Sequence, residues 1–442
     1  MLFGIFLVVV FGAVALVLFR SYARYKLNYW NRRGVEQLPN ADLVFGHIKD
    51  GVLFRTAPGW HMGVLHNSTI NKDAPFVGFY IFHKPCLLLR DPNIIKDVMI
   101  RRFDNFTDRH YAGTQQMDSL GMTNLFGLKN PTWKYLRSKI TPTLSGNKLR
   151  QMLPLLMQTA KTMMNYLKEQ TNKSNEQAVI DAQELSYKYT TDATANIALG
   201  ITVDSFHDPN EYTKFGNDCS SISYTCKGLG LILSLILRNG DNLVNLTGTY
   251  ISGFESSSNS VSFTLMELAE NPEYQDKARE DIERAIKEHG LTYSGFNDMK
   301  YLDQCIYESA RLHPPVPTVD RLTKEDYEIP GTGVTIKKGT PIFVSLYGMH
   351  LDPQFFKQPE IYDPSRFAGG QTVSDAFLPF GLGPRMCPGK QLGMLHAKVV
   401  LAMILREYSV TQNPESELVL DSRFMFTAAA ESISLRFNKI TK

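Results

Sequence analysis

Residues 380–393 read Phe-Gly-Leu-Gly-Pro-Arg-Met-Cys-Pro-Gly-Lys-Gln-Leu-Gly, a glycine- and proline-rich segment that holds one cysteine, Cys387. The glycines let the backbone turn sharply and lie close to a flat partner, and the two prolines stiffen the loop on either side of the cysteine. An apolar helical run follows, so a helix N-terminus and the Arg385 cation both lie near the sulfur in the chain. Both favour a thiolate. The segment therefore predicts a thiolate presented as an axial metal ligand.

This loop resembles the heme-binding signature of the cytochromes P450. The matching positions are Phe380, Gly383, Arg385, Cys387 and Gly389. The resemblance implies that Cys387 is the axial ligand of the iron of heme b (iron protoporphyrin IX), with Phe380 and Arg385 beside the cofactor. It also implies a mainly α fold with small β-sheets. Taken alone, a cysteine in such a loop would be interpreted as a buried structural residue, but the surrounding pattern favours the ligand.

Composition and charge exclude several other classes of protein. With 442 residues, of which 43% are hydrophobic and 21% charged, the chain can bury a large core, and no linker demands a division into globular domains. The net charge of +3 gives no reason to expect a nucleic-acid partner. Five cysteines lie scattered without metal-site spacing, which indicates a reducing compartment.

The first nineteen residues form an uncharged apolar run, MLFGIFLVVVFGAVALVLF. As a helix this run is about 28 Å long, close to the thickness of the hydrocarbon core of a bilayer. A cleaved signal peptide is the alternative, but the run lacks a basic start and no small-residue cleavage site follows it. We therefore predict a transmembrane anchor at residues 1–19, a basic and polar connector at 20–50 and a heme-thiolate catalytic domain at 51–442.

Basic residues follow the apolar run at once, so the positive-inside rule predicts that the rest of the chain faces the cytoplasm. Aromatic residues among them are expected to form a belt at the membrane interface; they are Tyr22, Tyr25, Tyr29 and Trp30. The tract Gly34–Asp108 resembles the amino-terminal part of insect microsomal cytochromes P450, which act on foreign compounds and hormones. This resemblance implies a microsomal protein in the endoplasmic reticulum membrane.

A long amphipathic helix is predicted from Leu243 to Glu270. Its apolar face consists of Leu243, Leu246, Tyr250, Phe254, Val261, Leu265 and Leu268. The glycine and hydroxyl cluster Ser252–Asn259 in its middle weakens a helix and predicts a local opening in which dioxygen fits. By resemblance, Glu255 and Ser256 take the positions of the acid and the alcohol that relay protons during oxygen activation. The alternative is an ordinary polar stripe on a long helix.

The segment before this helix is short, because only 45 positions separate Asp208 from Gly253. Relatives in the family have room there for several more helices that cover the substrate pocket. Much of that lid is therefore expected to be absent. A skipped exon, a faulty gene model and a real truncation would each leave this pattern.

Further residues match cofactor-binding positions of the family. Trp133 and Arg137 share one face of a predicted helix, and the resemblance implies that they contact one heme propionate. Arg321 matches the position that binds the other propionate. The simpler alternatives are a surface cation–π pair at Trp133 and Arg137 and a solvent-facing charge at Arg321.

Glu308 and Arg311 form a Glu-x-x-Arg pair on a helix that ends at a proline-rich run. By itself this is a weak motif and mostly a surface pair. Its place in the chain resembles the structural triad of the family, completed by Arg366. The resemblance implies a buried arginine–carboxylate network that holds the cysteine loop in place.

Three segments show strand patterns. Residues 74–89 are interpreted as two strands joined at His83-Lys84-Pro85. Residues 326–354 are interpreted as a second, smaller sheet. Residues 417–437 are interpreted as a closing hairpin whose turn, Thr427–Ala430, lies beside the substrate.

Together these features predict a monooxygenase of the cytochrome P450 type. The resemblance implies that one oxygen atom of O2 enters a small lipophilic substrate, such as a xenobiotic, a hormone or a fatty-acid-like molecule. Neither a flavin fingerprint nor a Gly-x-Gly-x-x-Gly loop is present, so electrons are expected from NADPH through NADPH-cytochrome P450 reductase, with cytochrome b5 as a further partner. Two alternatives stay open: a heme-binding protein of little activity because of the short lid, and a membrane-anchored scaffold without heme.

Overall fold

The computed structural model describes residues 2–110, 125–174, 176–208, 241–370, 374–424 and 426–440, with residues 2, 199, 241–252 and 370 as backbone only. The short segment predicted at 208–253 therefore lies mostly outside the described residues. The helices are α1 (Leu2–Lys26), α2 (Lys49–Val52), α3 (Pro58–Asn67), α4 (Pro92–Lys96), α5 (Thr132–Ile140), α6 (Gly146–Asn172), α7 (Ala182–Thr194), α8 (Asp241–Glu270), α9 (Pro272–His289), α10 (Tyr293–Asp298), α11 (Lys300–Leu312), α12 (Leu346–His350) and α13 (Lys390–Glu407).

Short strands form three small sheets in the described part of the chain. The strands are β1 (Phe76–Ile81), β2 (Lys84–Leu89), β3 (Gln177–Asp181), β4 (Thr318–Leu322), β5 (Tyr327–Glu328), β6 (Thr335–Ile336), β7 (Pro341–Ser345), β8 (Tyr408–Gln412) and β9 (Ser434–Lys439). The sheets have the orders β1-β2-β7-β4, β3-β9-β8 and β5-β6. The predicted mainly α fold with small sheets is confirmed.

Two of the strand predictions need correction. Only the two-residue strands β5 and β6 form a separate ladder within 326–354, because β7 pairs in parallel with β2 of the first sheet and 346–350 is helical. The predicted hairpin at 417–437 is reduced to one isolated bridge, between Leu420 and Ala429. Strand β9 pairs instead with β8 and β3, which bury its apolar side chains.

Helix α8 lies in the centre of the main hydrophobic core. Its predicted apolar face is buried wherever side chains are described, at Phe254, Val261, Leu265 and Leu268. Helices α7, α11 and α13 pack around it, and α13 is the helix that follows Cys387. Cys387 and α8 are far apart in the sequence, and this packing brings them close together in the fold.

The N-terminal helix α1 is long and apolar enough to cross a membrane, as predicted. The apolar side chains described between Phe3 and Phe19 are largely exposed. The end of the helix and the residues after it differ, because Ala23 is buried and Leu27 and Trp30 pack in a core cluster with residues of the first sheet. The prediction that Trp30 belongs to an interfacial belt is wrong, since its indole fills the space left by Gly78, where a Cβ would collide with it.

Candidate functional site

The Cys387 loop is held by its own backbone and by one close glycine contact. The Cys387 N–H donates to the Phe380 carbonyl at 2.8 Å, and the Met386 N–H donates to the Gly383 carbonyl at 2.9 Å. Gly383 has φ +73°, and a Cβ there would collide with the carbonyl oxygen of Met99. Only glycine fits this position. The loop thus presents an exposed Cys387 side chain just before α13 begins.

The thiol of Cys387 is accessible at its surface but closely surrounded by protein. Desolvation raises the pKa of Cys387, while a hydrogen bond from the Gly389 N–H and the charges of Arg137 and Lys390 lower it. The upward shift prevails, so the free side chain is a neutral thiol near pH 7. The neighbouring N–H group and cations thus favour the thiolate, while burial opposes it. Coordination by a metal ion deprotonates a thiol outright.

Arg385 does not act on the sulfur as the sequence suggested. Its guanidinium lies over the Trp133 ring, 4.4 Å from the ring centroid, and donates to the Leu128 carbonyl at 2.8 Å. Arg137 lies on the same helix as Trp133, and its Nη1 donates to the Met386 carbonyl of the cysteine loop at 2.8 Å. The structure therefore brings Trp133, Arg137 and Arg385 together beside this loop.

Three buried arginines form a cluster near the loop: Arg109, Arg321 and Arg385. The Nε of each one, and also Nη1 of Arg109, has no hydrogen-bond acceptor among the described residues. Two carboxylates lie nearby, with Asp320 3.6 Å from Arg109 and Asp108 3.5 Å from Arg385. The charges of Arg109 and Arg385, together with burial, lower the pKa of Arg321. Three buried cations thus face two carboxylates, and buried N–H groups without an acceptor are costly, so the cluster fits additional anionic groups.

Arg109 was missed by the sequence reasoning. It lies in the charged tripeptide Asp108-Arg109-His110, which resembles an ordinary surface segment. The residues that mark its site, Arg321 and Arg385, come more than two hundred residues later in the chain. No local signal in the sequence indicates that Arg109 belongs to the buried cluster.

Helix α8 is continuous through 252–259, so the predicted local opening is wrong. The serine hydroxyls donate to carbonyls of their own helix and leave its backbone hydrogen bonds in place. Ser256 donates to the Gly253 carbonyl at 3.2 Å, and Ser257 donates to the same oxygen at 2.8 Å. The Ser252 side chain lies outside the described residues.

Glu255 is the titratable group of this part of α8. Its carboxylate accepts a hydrogen bond from the Tyr187 hydroxyl of α7 at 3.3 Å. Desolvation raises the pKa of Glu255 to about 7, and the bond from Tyr187 opposes this shift. A carboxyl group with such a pKa can both give and take a proton near neutral pH.

The predicted turn at Thr427–Ala430 is tied to several elements at once. The Thr427 hydroxyl accepts from Trp60 Nε1 at 2.9 Å and donates to the Pro314 carbonyl at 2.5 Å. The Thr427 carbonyl accepts from Asn259 Nδ2 of α8 at 2.5 Å. The turn is therefore held against the same helix as Glu255 and Ser256.

Glu308, Arg311 and Arg366 meet in one network. Glu308 and Arg311 are fully buried and form a two-bond pair, with Nε–Oε2 2.8 Å and Nη2–Oε1 2.7 Å. Arg366 Nε donates to Glu308 Oε1 at 3.1 Å. Arg311 Nη1 also donates to the His350 carbonyl at 3.0 Å, and His350 Nε2 accepts from the Leu378 N–H at 3.1 Å. The network thus reaches the chain just before the cysteine loop.

Comparison with known proteins gives a consistent result. A model of the family described as Cytochrome P450 matches residues 51–240 and 237–437. Cytochrome P450 6k1 of Blattella germanica is 32% identical over 504 residues, covering 95% of this chain and 94% of the relative. Probable cytochrome P450 6g2 of Drosophila melanogaster is 28% identical over 488 residues, covering 92% and 94%. Cytochrome P450 6d1 of Musca domestica is 29% identical over 482 residues, covering 89% and 92%.

The resemblance suggested by residues 380–393 and by the amino-terminal tract is thus confirmed, and its relatives are insect proteins. The family match covers both the Cys387 loop and the long helix α8. This chain belongs to the cytochrome P450 family and is a heme-thiolate monooxygenase.

Proposed function

We propose that this monooxygenase inserts one oxygen atom of O2 into a small lipophilic substrate, such as a xenobiotic, a hormone or a fatty-acid-like molecule. Its electrons come from NADPH through NADPH-cytochrome P450 reductase, with cytochrome b5 as a further partner. The proposal includes anchoring in the endoplasmic reticulum membrane by α1, with the catalytic domain in the cytoplasm. The basic residues after the apolar run support that orientation. The observation that carries the proposal is the cluster of buried arginines beside an exposed Cys387.

The residues of this site fit heme b. Its two propionates would satisfy the unpaired N–H groups of Arg109, Arg321 and Arg385, and its iron would take Cys387 as a thiolate. Trp133, whose ring lies against Arg385, and Arg137, which also donates to the Met386 carbonyl, would contact one of the propionates. Phe380 would lie beside the ring. When bound, heme supplies the activation of dioxygen and the transfer of one oxygen atom to the substrate.

Replacing Arg109 with alanine should weaken heme retention without removing the thiolate ligand. A hydrogen bond to a charged group contributes about 1.5–3 kcal/mol, so heme should dissociate roughly ten to a hundred times faster. The measurement is transfer of heme from the purified protein to excess apomyoglobin, followed by absorbance. The control is Arg101→Ala, which removes an exposed arginine from the same region. Equal rates for both variants would contradict a role for Arg109 at the cofactor.

The acid Glu255 and the alcohol Ser256 would deliver the protons that the reaction consumes. With a pKa of about 7, Glu255 is able to take up a proton and pass it on near neutral pH. Ser256 holds its hydroxyl less firmly than a threonine would, because serine lacks the second heavy atom on Cβ that restricts χ1. We infer that proton delivery is incomplete and that part of the electron flow is lost as hydrogen peroxide.

The Ser256→Thr variant should form more product per NADPH consumed. Restricting one side-chain rotation contributes on the order of 0.5 kcal/mol, so coupling should improve about two-fold. Product, peroxide and NADPH are measured with the reductase and the alkoxycoumarin that is turned over best. Ser257→Thr is the matched control, because Ser257 donates to the same Gly253 carbonyl. Near-stoichiometric product in the unchanged enzyme, or a loss of coupling in Ser256→Thr, would contradict this interpretation.

A heme-binding protein of little activity is the second candidate, and the comparisons favour it in one respect. The alignment with the Blattella relative spans 504 positions, more than the 442 residues of this chain, and the family match is split near residue 240. Both observations support a missing internal stretch in the region of the lid. A thiolate-type carbon monoxide spectrum together with no NADPH consumption would favour this candidate over the monooxygenase.

A further inference from the structure

We infer that Tyr187 of α7 is a positioning residue for the Glu255 carboxyl group, an inference that rests on the proposed proton delivery by Glu255. The Tyr187 hydroxyl donates to Glu255 Oε1 at 3.3 Å, across the contact between α7 and α8. This bond would hold the carboxyl group in one orientation and adjust its affinity for protons. Tyr187 would act through Glu255 and would not itself contact the reacting atoms.

The Tyr187 ring packs against α8. Its centroid lies 6.0 Å from that of Phe254, whose side chain is buried directly before Glu255 in the helix. This separation is typical of aromatic pairs in contact. Both Tyr187 and Glu255 are half-buried. The hydroxyl is therefore brought to the carboxyl group by the packing of two helix faces.

Helix α7 is held near both of its ends. Before its first residue, Asp181 accepts from the Gln183 N–H at 2.8 Å and from the Ile433 N–H at 3.2 Å. Near its last residue, the buried Asp192 accepts from the Ser205 N–H at 3.1 Å and from the Ser205 hydroxyl at 2.5 Å. The tyrosine lies between these two points, so α7 is a firm support for its hydroxyl.

Tyr187 is the titratable group that opposes the effect of desolvation on the pKa of Glu255. In the part of the chain that the structure describes, no group on α5, α9, α11, α13 or β8, which also pack against α8, shifts this pKa. On α13, burial lowers the pKa of His396 to about 4, so its ring is uncharged near pH 7. On α11, Glu308 and Arg311 neutralise each other. The balance at Glu255 therefore depends on burial and on Tyr187.

A group that delivers protons must both take up and release a proton at the working pH. Desolvation favours the protonated form of a carboxyl group, and a hydrogen bond to the carboxylate favours the charged form. Without the Tyr187 hydroxyl, Glu255 would keep its proton to a higher pH and release it less readily. Tyr187 thus supports the release step of the proposed proton delivery.

The Tyr187→Phe variant removes the hydroxyl and keeps the ring. Product and peroxide per NADPH are measured with the reductase from about pH 6 to 9. Product per NADPH should fall as the pH rises through the pKa of Glu255, because fewer Glu255 side chains then carry a proton. In the variant the midpoint of this fall should move up by about 0.5–1 pH unit, since a donor to the charged form is lost.

Tyr189→Phe is the matched control. It removes a phenolic hydroxyl from the same helix, and within the described residues that hydroxyl has no hydrogen-bond partner. Its midpoint should stay at that of the unchanged enzyme. Heme content and the carbon monoxide spectrum are recorded for each variant, because an effect on packing alone would change these without moving the midpoint.

3-Fluorotyrosine in place of Tyr187 gives a test in the opposite direction, which also applies if Tyr187→Phe does not retain heme. Fluorine makes the phenolic hydroxyl a stronger donor and leaves the ring nearly the same size. The midpoint should therefore move to lower pH. A midpoint that stays in place with both replacements, or moves the same way with both, would overturn the role of Tyr187.

The Glu255→Gln variant separates this inference from the proposed proton delivery. It should remove the fall with pH, and Tyr187→Phe should then have no further effect on product per NADPH, as expected for two residues that act as one unit. If Glu255→Gln removes the fall but no replacement of Tyr187 moves the midpoint, the positioning role fails and proton delivery by Glu255 stands. If Glu255→Gln leaves the fall unchanged, both fail.

Discussion

The Cys387→Ala variant should lose the thiolate-type carbon monoxide spectrum completely. No other described cysteine can replace Cys387, because Cys86 and Cys305 are fully buried. Burial raises the pKa of each of these two thiols to about 12, so neither is an available thiolate. The measurement is the difference spectrum of the reduced protein with and without carbon monoxide. Heme content is determined in parallel by the pyridine hemochrome method.

Two controls make this result specific to the ligand. Cys305→Ala removes a buried thiol that packs in the main core, so it should lower stability but retain the thiolate spectrum. Cys387→Ser keeps the size of the side chain and should still lose the thiolate spectrum, because a serine hydroxyl stays protonated far more readily than a thiol. A thiolate spectrum that survives in Cys387→Ala would show that another cysteine is the ligand.

The sequence predicted those parts of the fold and the site that depend on local patterns. The apolar face of α8 could be predicted because Val261, Leu265 and Leu268 recur at helical spacing. The structure buries all three. The conformation of the Cys387 loop could be predicted because its glycines and prolines define the backbone locally, independently of residues elsewhere in the chain. Both features belong to single continuous segments.

Features that depend on contacts between residues far apart in the sequence could not be predicted from it. The strand Pro341–Ser345 has a clear strand composition, but nothing local shows that it pairs in parallel with Lys84–Leu89. The orientation of Arg385 depends on Trp133 and the Leu128 carbonyl, so its position two residues before Cys387 was misleading. The serines do not interrupt α8, because the Ser256 hydroxyl donates to a carbonyl of the same helix and leaves the backbone hydrogen bonds intact.

Replacing Glu308 with alanine should prevent most of the protein from folding with heme. Glu308 accepts bonds from Arg311, from Arg366 and from the Asp363 N–H, the last at 2.9 Å. The alanine variant leaves the fully buried Arg311 cation without its carboxylate. Breaking a buried ion pair in this way costs about 3–5 kcal/mol, a large part of the roughly 5–15 kcal/mol that stabilises a typical domain. The free energy of unfolding, from urea titration of the detergent-solubilised protein, and the heme content measure the effect.

The loss should extend to the cysteine loop, because the network connects to it through His350. Burial and the Arg311 charge lower the pKa of His350 to about 3, so its ring stays neutral and its Nε2 can accept from the Leu378 N–H. The Gly381 N–H in turn donates to the Leu378 carbonyl at 2.9 Å, at the start of the loop. The matched control is Glu283→Ala, which removes the carboxylate of a partly exposed pair with Arg406. Such pairs contribute about 0–1 kcal/mol, so this variant should retain heme. Equal stability of the two variants would show that the buried network does not support the loop.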